Sequence, residues 1–116
     1  MANETEVSKQ IREAVKKNFP QIRFKRNHCG KIKSGRYWVD LGEAGWPDYI
    51  GYLPDGRFFG LEIKDPKGRT KKDRQELQDT RLADIGKCGG VGIKASSVDE
   101  ALTNIREFIG GITNGK

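Results

Sequence analysis

The sequence contains no apolar run that approaches the roughly 20 residues needed for a membrane-spanning helix. Its first ten residues, MANETEVSKQ, have neither the basic start nor the apolar stretch of a signal peptide. We therefore expect an intracellular protein without a membrane partner. The sequence also has no internal repeat, and 116 residues suffice for one compact core. We expect a single domain over 1–116, with a flexible glycine-rich tail from about 110 to 116.

Soft metal ligands are scarce as well. The chain has two cysteines, Cys29 and Cys88, and one histidine, His28. Together they supply one ligand fewer than a closed zinc site needs, and the cysteines do not form a CxxC pair. We interpret the cysteines as reduced thiols and His28 as a solvated side chain. A contact between His28 and a phosphate or a metal is the alternative.

Positive charge is in excess, with 22 Lys and Arg against 16 Asp and Glu and a formal charge of +6. The cations concentrate in residues 25–36, which contain no acid, and in residues 64–74. Such stretches favour a polyanionic partner, although a solvated loop has the same composition. The candidate nucleic-acid-binding residues are Lys25, Arg26, Lys31, Lys33, Arg36, Lys67, Arg69, Lys71 and Lys72.

Apolar periodicity and turn residues predict the order α-β-β-β-β-α-β-α. The predicted strands cover about 21–27, 37–39, 48–53, 57–64 and 91–95, and a glycine- and lysine-rich loop precedes the second. Helices are predicted from Glu4 to Asn18, from an N-cap at Thr70 to Ile85 with Gly86 as C-terminal cap, and behind a capping box of Ser97 and Glu100. This order is typical of an α/β (α+β) fold with a mixed central sheet flanked by helices.

The segment at 53–57, Leu-Pro-Asp-Gly-Arg, is typical of a three-residue hairpin loop with a bulge. In that register Leu53 pairs with Arg57, and Asp48 then lies directly opposite Glu62. The inference depends on the loop length, because a two-residue loop would place the two acids on opposite faces of the sheet.

Lys64 is two residues beyond Glu62 and points to the same face, so Asp48, Glu62 and Lys64 converge at one end of the hairpin. Facing carboxylates repel each other unless a cation offsets the repulsion, and Mg²⁺ prefers such oxygen ligands. The pattern predicts a phosphodiesterase site in which the lysine stabilises developing negative charge. The alternative is a surface ion network in which Lys64 only bridges the two acids.

The motif Gly45-Trp46-Pro47-Asp48, followed after thirteen residues by Glu62-Ile63-Lys64, resembles the signature of PD-(D/E)XK nucleases. The longer segment from 45 to 75, which includes Lys-x-Pro-x-Gly-Arg and ends in glutamine, resembles the virus-type replication-repair nuclease (VRR-NUC) domain. The resemblance extends over nearly the whole chain. It implies a restriction-endonuclease-like αβββαβ core and a requirement for Mg²⁺ or Mn²⁺.

The resemblance also implies roles for individual residues. Asp48 and Glu62 would be metal ligands together with the carbonyl of Ile63, and Lys64 would be the catalytic lysine. Gln75 matches the helical glutamine of the family. It shares a stripe with Gln78, Leu82 and Ile85, so it should face inward, where a buried structural amide is the alternative role.

Many family members add an acid from the first helix, and Glu6 is the best match for a catalytic and metal-binding residue of this kind. Glu13 is the second choice. A role without chemistry is the alternative for Glu6, because Asn3 as N-cap would place Glu6 at the third helical position of a capping box.

The resemblance thus implies a structure-specific DNA endonuclease of replication, repair or recombination, similar to Holliday-junction resolvases. Branched DNA would be the partner, a homodimer would supply two active sites, and no small-molecule cofactor is expected. A phage gene expressed in a bacterial host fits the family. The alternatives are a basic nucleic-acid-binding module without catalysis and a structural protein whose acids form only an ion network.

Overall fold

A computed structural model describes residues 5–28, 30–68 and 70–114 of the 116-residue chain. Four strands form a mixed sheet of order β1-β4-β5-β6, in which β6 runs parallel to β5 and the other neighbours are antiparallel. The predicted α+β class with a mixed sheet is confirmed. The elements are α1 (Glu6–Asn18), β1 (Arg23–Arg26), β2 (Gly30–Ser34), β3 (Tyr37–Gly42), β4 (Tyr49–Tyr52), β5 (Phe58–Ile63), α2 (Lys72–Lys87), β6 (Val91–Ala95) and α3 (Val98–Asn114).

The segment between β1 and β3 differs from the prediction of a loop. Residues 30–34 form β2, which pairs with β3 in a separate two-stranded antiparallel sheet. Ser34 pairs with Tyr37, so Gly35 and Arg36 alone make the turn, and Gly35 has the positive φ of 63° that such tight turns require. The loop prediction was wrong because the glycines and lysines of this segment have low strand propensity, whereas the turn fixes the pairing.

One face of the main sheet packs against α1 and α3. Alternate residues of β6 are buried, as expected for a strand with one face in the core. This core is a single cluster that includes Ile11 and Val15 of α1, Ile105 of α3, and Tyr49, Phe59, Leu61 and Ile93 of the sheet.

The other face packs against α2, and glycines on the strands allow the close approach. A methyl group at Gly60 would lie 3.2 Å from Cδ1 of Ile85, and one at Gly92 would lie 2.9 Å from the carbonyl oxygen of Leu82. The sheet is therefore flanked by helices on both faces. This arrangement places α2 directly over the even-numbered positions of β5.

The N-terminus of α1 differs from the proposed capping box. Thr5 is the N-cap, and its Oγ1 accepts a hydrogen bond from the N–H of Ser8 at 3.1 Å. Glu6 is therefore the first residue of the helix rather than the third, and Asn3 lies outside the described residues. The hydroxyl of Thr5 occupies the capping role because it immediately precedes the first helical turn.

Both ends of α2 differ from the predicted caps. Lys71, not Thr70, is the N-cap, no side chain caps the helix there, and the Asp73 carboxylate accepts instead from the N–H of Arg74. At the other end the helix continues through Gly86. The residue with positive φ after the helix is Gly89, at 93°. The N–H of Gly90 donates to the carbonyl of Ile85 and the N–H of Gly89 donates to the carbonyl of Gly86, and these bonds close the end of the helix.

The capping residues of α3 match the prediction in part. Ser97 Oγ accepts from the N–H of Glu100 at 3.1 Å, as predicted. The Glu100 carboxylate, however, accepts from the N–H and hydroxyl of Ser96, one residue earlier than a capping box requires. The helix extends to Asn114, into the segment for which the sequence predicts a tail.

The β4–β5 turn has the predicted geometry. The N–H of Leu53 donates to the carbonyl of Arg57, the N–H of Gly56 donates to the carbonyl of Leu53, and Gly56 has φ of 90°. Tyr49 pairs with Leu61 along the strands. The predicted register is confirmed.

Gly51 is expected to be the glycine least tolerant of substitution, because a methyl group there would overlap the carbonyl oxygen of Arg23 on β1. We expect Gly51→Ala to destabilise the protein by about 2 kcal/mol or more, as overpacking a sheet does. Gly86→Ala is the matched control. Its site in α2 is open, so alanine should stabilise by up to about 1 kcal/mol. Urea unfolding followed by circular dichroism measures both, and equal midpoints for the two variants would contradict the strand pairing.

Candidate active site

Asp48 immediately precedes β4 and is held between two strands. The N–H of Asn27 donates to the Asp48 carbonyl at 2.7 Å, and the Asn27 side chain donates to the carbonyl of Pro47, so β1 remains attached past its last residue. On the other side, Asp48 Oδ2 accepts from the N–H of Ile63 at 2.8 Å. Asn27 therefore holds the backbone beside Asp48, and the Ile63 N–H fixes its carboxylate.

Glu62 is the one buried charged side chain among the described residues, with 3% of its surface exposed. The N–H of Asp48 donates to its carboxyl group. Within the described part of the chain, Glu62 Oε1 is buried and has no hydrogen-bond partner. A buried carboxylate oxygen without a partner is costly, so this position favours either a proton or a cation.

The two carboxyl groups are close enough to share a hydrogen bond. Burial, the negative charge of Asp48 and this hydrogen bond raise the pKa of Glu62 to about 9. Burial also raises the pKa of Asp48, against the lowering effects of the Ile63 N–H and of Arg26 and Arg74. Glu62 is therefore the carboxyl group of the pair that favours a proton at neutral pH, and this proton occupies the hydrogen bond to Asp48.

Asp48 opens onto a cavity of about 380 Å³ at the end of the sheet. Glu62 does not line this space. Cations and the start of α1 complete its wall, which includes Thr5, Ser8, Arg26, Ile63, Lys64 and Lys67. The lining therefore combines two acids, Asp48 and Asp65, with a basic rim of Arg26, Lys64 and Lys67.

A larger cavity of about 510 Å³ lies near the β4–β5 turn and the C-terminal end of α2. Its acids are Asp55 and Asp84, and Asp55 forms an ion pair with Arg57 at 2.8 Å. Asp55 is fully solvated, and its pKa is lowered by the Arg57 backbone N–H. We place the chemistry at the smaller cavity, because Asp48, which is paired with the buried Glu62, lines it.

Lys64 lies at the mouth of the smaller cavity. Its N–H donates to the carbonyl of Ala95 at 2.7 Å, which anchors its backbone to β6, and its side chain is half-buried. Among the residues that the structure describes, no ion pair joins Lys64 to Asp48 or Glu62. The geometry thus differs from the simple ion network that the sequence left open.

Gln75 and Glu6 have different surroundings. Gln75 is half-buried, like Gln78 and Leu82 further along α2, so the predicted inward-facing stripe is present. Glu6 is exposed, accepts from the Gln10 side chain at 3.3 Å, and does not belong to the cavity wall. Glu13 is exposed as well. In the described regions, no group of three His, Cys, Asp or Glu side chains could hold a metal, so the site presents two carboxylates.

The predicted basic residues lie in three places. Arg26 and Lys67 line the cavity, and Lys25 is exposed on β1. Lys71 and Lys72 are exposed at the start of α2, while Lys33 and Arg36 are exposed on the β2–β3 hairpin. Arg69 and the side chain of Lys31 lie outside the described part of the structure. Two of the predicted cations therefore line the cavity, and two others are exposed on the hairpin.

Two residues near the acids were not identified from the sequence. Asn27 secures Asp48, and Arg74 lowers the pKa of both carboxyl groups by its charge. Extending the β1–β4 register by one residue would have indicated Asn27. No pattern in the sequence indicated Arg74, because the direction of its side chain depends on where α2 begins and on how α2 crosses the sheet.

Comparison of the chain with protein-family models, curated proteins and solved structures gave no match. None of the helices in the described regions has the length and apolar character required to cross a membrane.

The raised pKa of Glu62 predicts how stability depends on pH without a cation. The pKa of Glu62 is about 9 in the folded protein, against an ordinary value of 4.5. The free energy of unfolding should therefore be highest below pH 4.5 and should fall as the pH rises toward 9. Glutamine cannot ionise, so the stability of Glu62→Gln should fall less over this range. We expect the loss of stability between pH 5 and pH 8.5 to differ between wild type and variant by on the order of a few kcal/mol. Thermal unfolding in EDTA between pH 5 and 9 measures this, with exposed Glu107→Gln as control. Parallel profiles for all three proteins would show that Glu62 ionises normally.

Proposed function

We propose that this protein is a Mg²⁺- or Mn²⁺-dependent endonuclease that hydrolyses DNA phosphodiester bonds. The observation that carries the proposal is the Asp48–Glu62 carboxyl pair, in which Glu62 is buried and Asp48 lines a cavity with the basic rim of Arg26, Lys64 and Lys67. Acids buried next to each other destabilise a fold, and proteins keep such pairs where function requires them. A basic rim around them suits a polyanionic substrate whose backbone must approach a cation site.

The order of elements supports a restriction-endonuclease-like core of the kind found in VRR-NUC domains. With the β2–β3 hairpin regarded as an insertion, the chain follows α1, three antiparallel strands, α2 and a parallel strand. This is the αβββαβ order that the resemblance implies. The acids and the lysine occupy the ends of the second and third strands of that core.

The donor set fits a hard divalent cation. Mg²⁺ is usually held by one or two carboxylates together with waters and substrate phosphate oxygens. Asp48, Glu62 and the carbonyl of Ile63 would hold the ion, and the partnerless Oε1 of Glu62 is an oxygen that a cation would satisfy. Such an ion lowers the pKa of a bound water and withdraws charge from the phosphodiester.

The side chains around the acids supply the remaining tasks. Lys64 orients the attacking water or stabilises negative charge on the scissile phosphate, while Arg26 and Lys67 bind neighbouring phosphates. Gln75 supports the site from α2. In-line attack by water leaves 5′-phosphate and 3′-hydroxyl ends, as the resemblance implies.

The preferred substrate in this proposal is branched DNA, and the active species is a homodimer. Two matched cuts at a four-way junction require two active sites. A strictly monomeric protein that still resolves junctions would contradict the dimer. Contacts to phosphates rather than base edges dominate binding, so affinity should fall steeply with salt.

Substitution of the acids and the lysine separates catalysis from binding. We expect Asp48→Asn, Glu62→Gln and Lys64→Ala each to lower cleavage by at least about 100-fold while DNA binding persists. The measurement is a cleavage panel of branched and linear DNAs with Mg²⁺ or Mn²⁺, beside gel-shift binding. Lys87→Ala, an exposed change at the end of α2, is the control. Binding by wild type without cleavage of any substrate would favour a non-catalytic binding module.

Metal binding can be measured without substrate. Isothermal titration calorimetry with Mn²⁺ should detect uptake by wild type and its loss in Asp48→Asn. Because Glu62 is protonated in the metal-free protein, binding should also release a proton, which titrations in buffers of different ionisation enthalpy reveal. Absence of Mn²⁺ uptake by wild type would favour a carboxyl pair that is only structural.

A further inference from the structure

The β2–β3 hairpin has two exposed aromatic side chains that the proposed chemistry does not use. In the described regions, its strands pair only with each other. Residues 33–40 are all exposed, and Tyr37 at 71% and Trp38 at 66% have the largest exposure among the described large hydrophobic residues. Adjacent aromatic rings in water mark an interaction surface rather than a packing element.

The register gives the hairpin two different faces. Lys33 pairs with Trp38, and Ser34 pairs with Tyr37. Because successive residues of a strand alternate, Trp38 lies with Lys33 on one face and Tyr37 lies with Val39 on the other. Arg36 occupies the turn. The hairpin is therefore a thin ribbon with one aromatic ring on each face and a cation at its tip.

Charge favours a nucleic acid over a protein as the partner. Residues 30–42 contain three cations and a single acid, Asp40, whose carboxylate already accepts from the N–H of Gly42. Aromatic rings beside cations stack on bases while the cations bind phosphates. A second copy packed on the same surface would have to bury Lys33 and Arg36, which is costly without acidic partners.

The hairpin leaves the core at the end where the acids lie. Arg26, at the end of β1, lines the cavity, and the N–H of the next residue, Asn27, donates to the carbonyl of Asp48. The returning strand ends at Gly42, where a methyl group would lie 3.4 Å from the carbonyl oxygen of His28. At roughly 3.3 Å per residue, Trp38 lies about 13 Å beyond Gly42, which corresponds to a few nucleotides of DNA.

We propose that the β2–β3 hairpin inserts at a nucleic-acid branch point, where unpaired bases stack on Trp38 and Tyr37. The proposal rests on the proposed function for its substrate class and adds the device that selects branched over linear DNA. A duplex keeps its bases paired and stacked along its length, whereas a fork exposes two base faces at its branch point, one on the unpaired base of each arm. A ribbon with a ring on each face fits between those two base faces.

Fluorescence of Trp38 tests the stacking directly. The chain has two tryptophans, so Trp46→Phe leaves Trp38 as the sole reporter and retains a ring beside Arg81. Titration in EDTA with a forked DNA that has unpaired arms should quench Trp38, while a blunt duplex of equal length should not. Equal quenching by both DNAs, or none by the fork, would overturn the proposal.

Affinity measurements give an independent readout. We expect Trp38→Ala and Tyr37→Ala each to weaken fork binding about tenfold in EDTA and duplex binding less than twofold. Trp38→Phe should retain most of the affinity, and Phe108→Ala, a similarly exposed aromatic on α3, should change neither. Equal losses on fork and duplex, or no loss on the fork, would refute the role of the hairpin.

Sedimentation identifies the rival occupant. If wild type is a dimer without DNA and Trp38→Ala is a monomer, the hairpin binds a second copy of the chain and the proposal is wrong. Because all of these measurements omit the metal, they stand apart from catalysis. If the protein stacks selectively on the fork but does not cleave DNA, the role of the hairpin is supported and the nuclease function is refuted. If the protein cleaves DNA without this stacking, the nuclease function is supported and the role of the hairpin is refuted.

Discussion

The register of the β4–β5 hairpin is the constraint on which the rest of the site depends. Three residues between Leu53 and Arg57 bring Asp48 opposite Glu62, and the Asp48 carboxylate then accepts from the N–H of Ile63. A shift of one residue would move one acid to the other face of the sheet. The close pairing of β1 with β4 at Gly51 and the bonds from Asn27 hold that register from the other side.

A buried pair of acids opposes folding, and the surrounding structure offsets only part of that cost. Two backbone N–H groups and the charges of Arg26 and Arg74 favour ionised carboxylates, whereas burial and mutual repulsion favour a shared proton. The balance leaves one carboxyl protonated and one of its oxygens without a partner. In the proposed function, a divalent cation would replace this proton, and the cost of the acid pair to folding would serve catalysis.

The architecture separates the tasks of stability and recognition. Apolar residues of α1, α3 and one sheet face form the core, while glycines on the other face let α2 lie close over the acids. The basic residues remain outside, around the cavity and on the β2–β3 hairpin. The sheet end thus holds the proposed chemistry, and the neighbouring β2–β3 hairpin holds the exposed rings and cations of the proposed recognition surface.

Local sequence determined the β4–β5 turn, the register that it fixes, the α+β class and the inward stripe of Gln75, because each depends on short-range spacing and turn geometry. Tertiary structure decided the rest. Residues 30–34 form a strand only because a tight turn returns β3 alongside them, and Glu6 lies outside the cavity wall because Thr5 starts the helix. The influence of Arg74 on the acids and the burial of Glu62 depend on how α2 crosses the sheet, which no local pattern specifies. The raised pKa of Glu62 has the same origin, because burial is its largest cause.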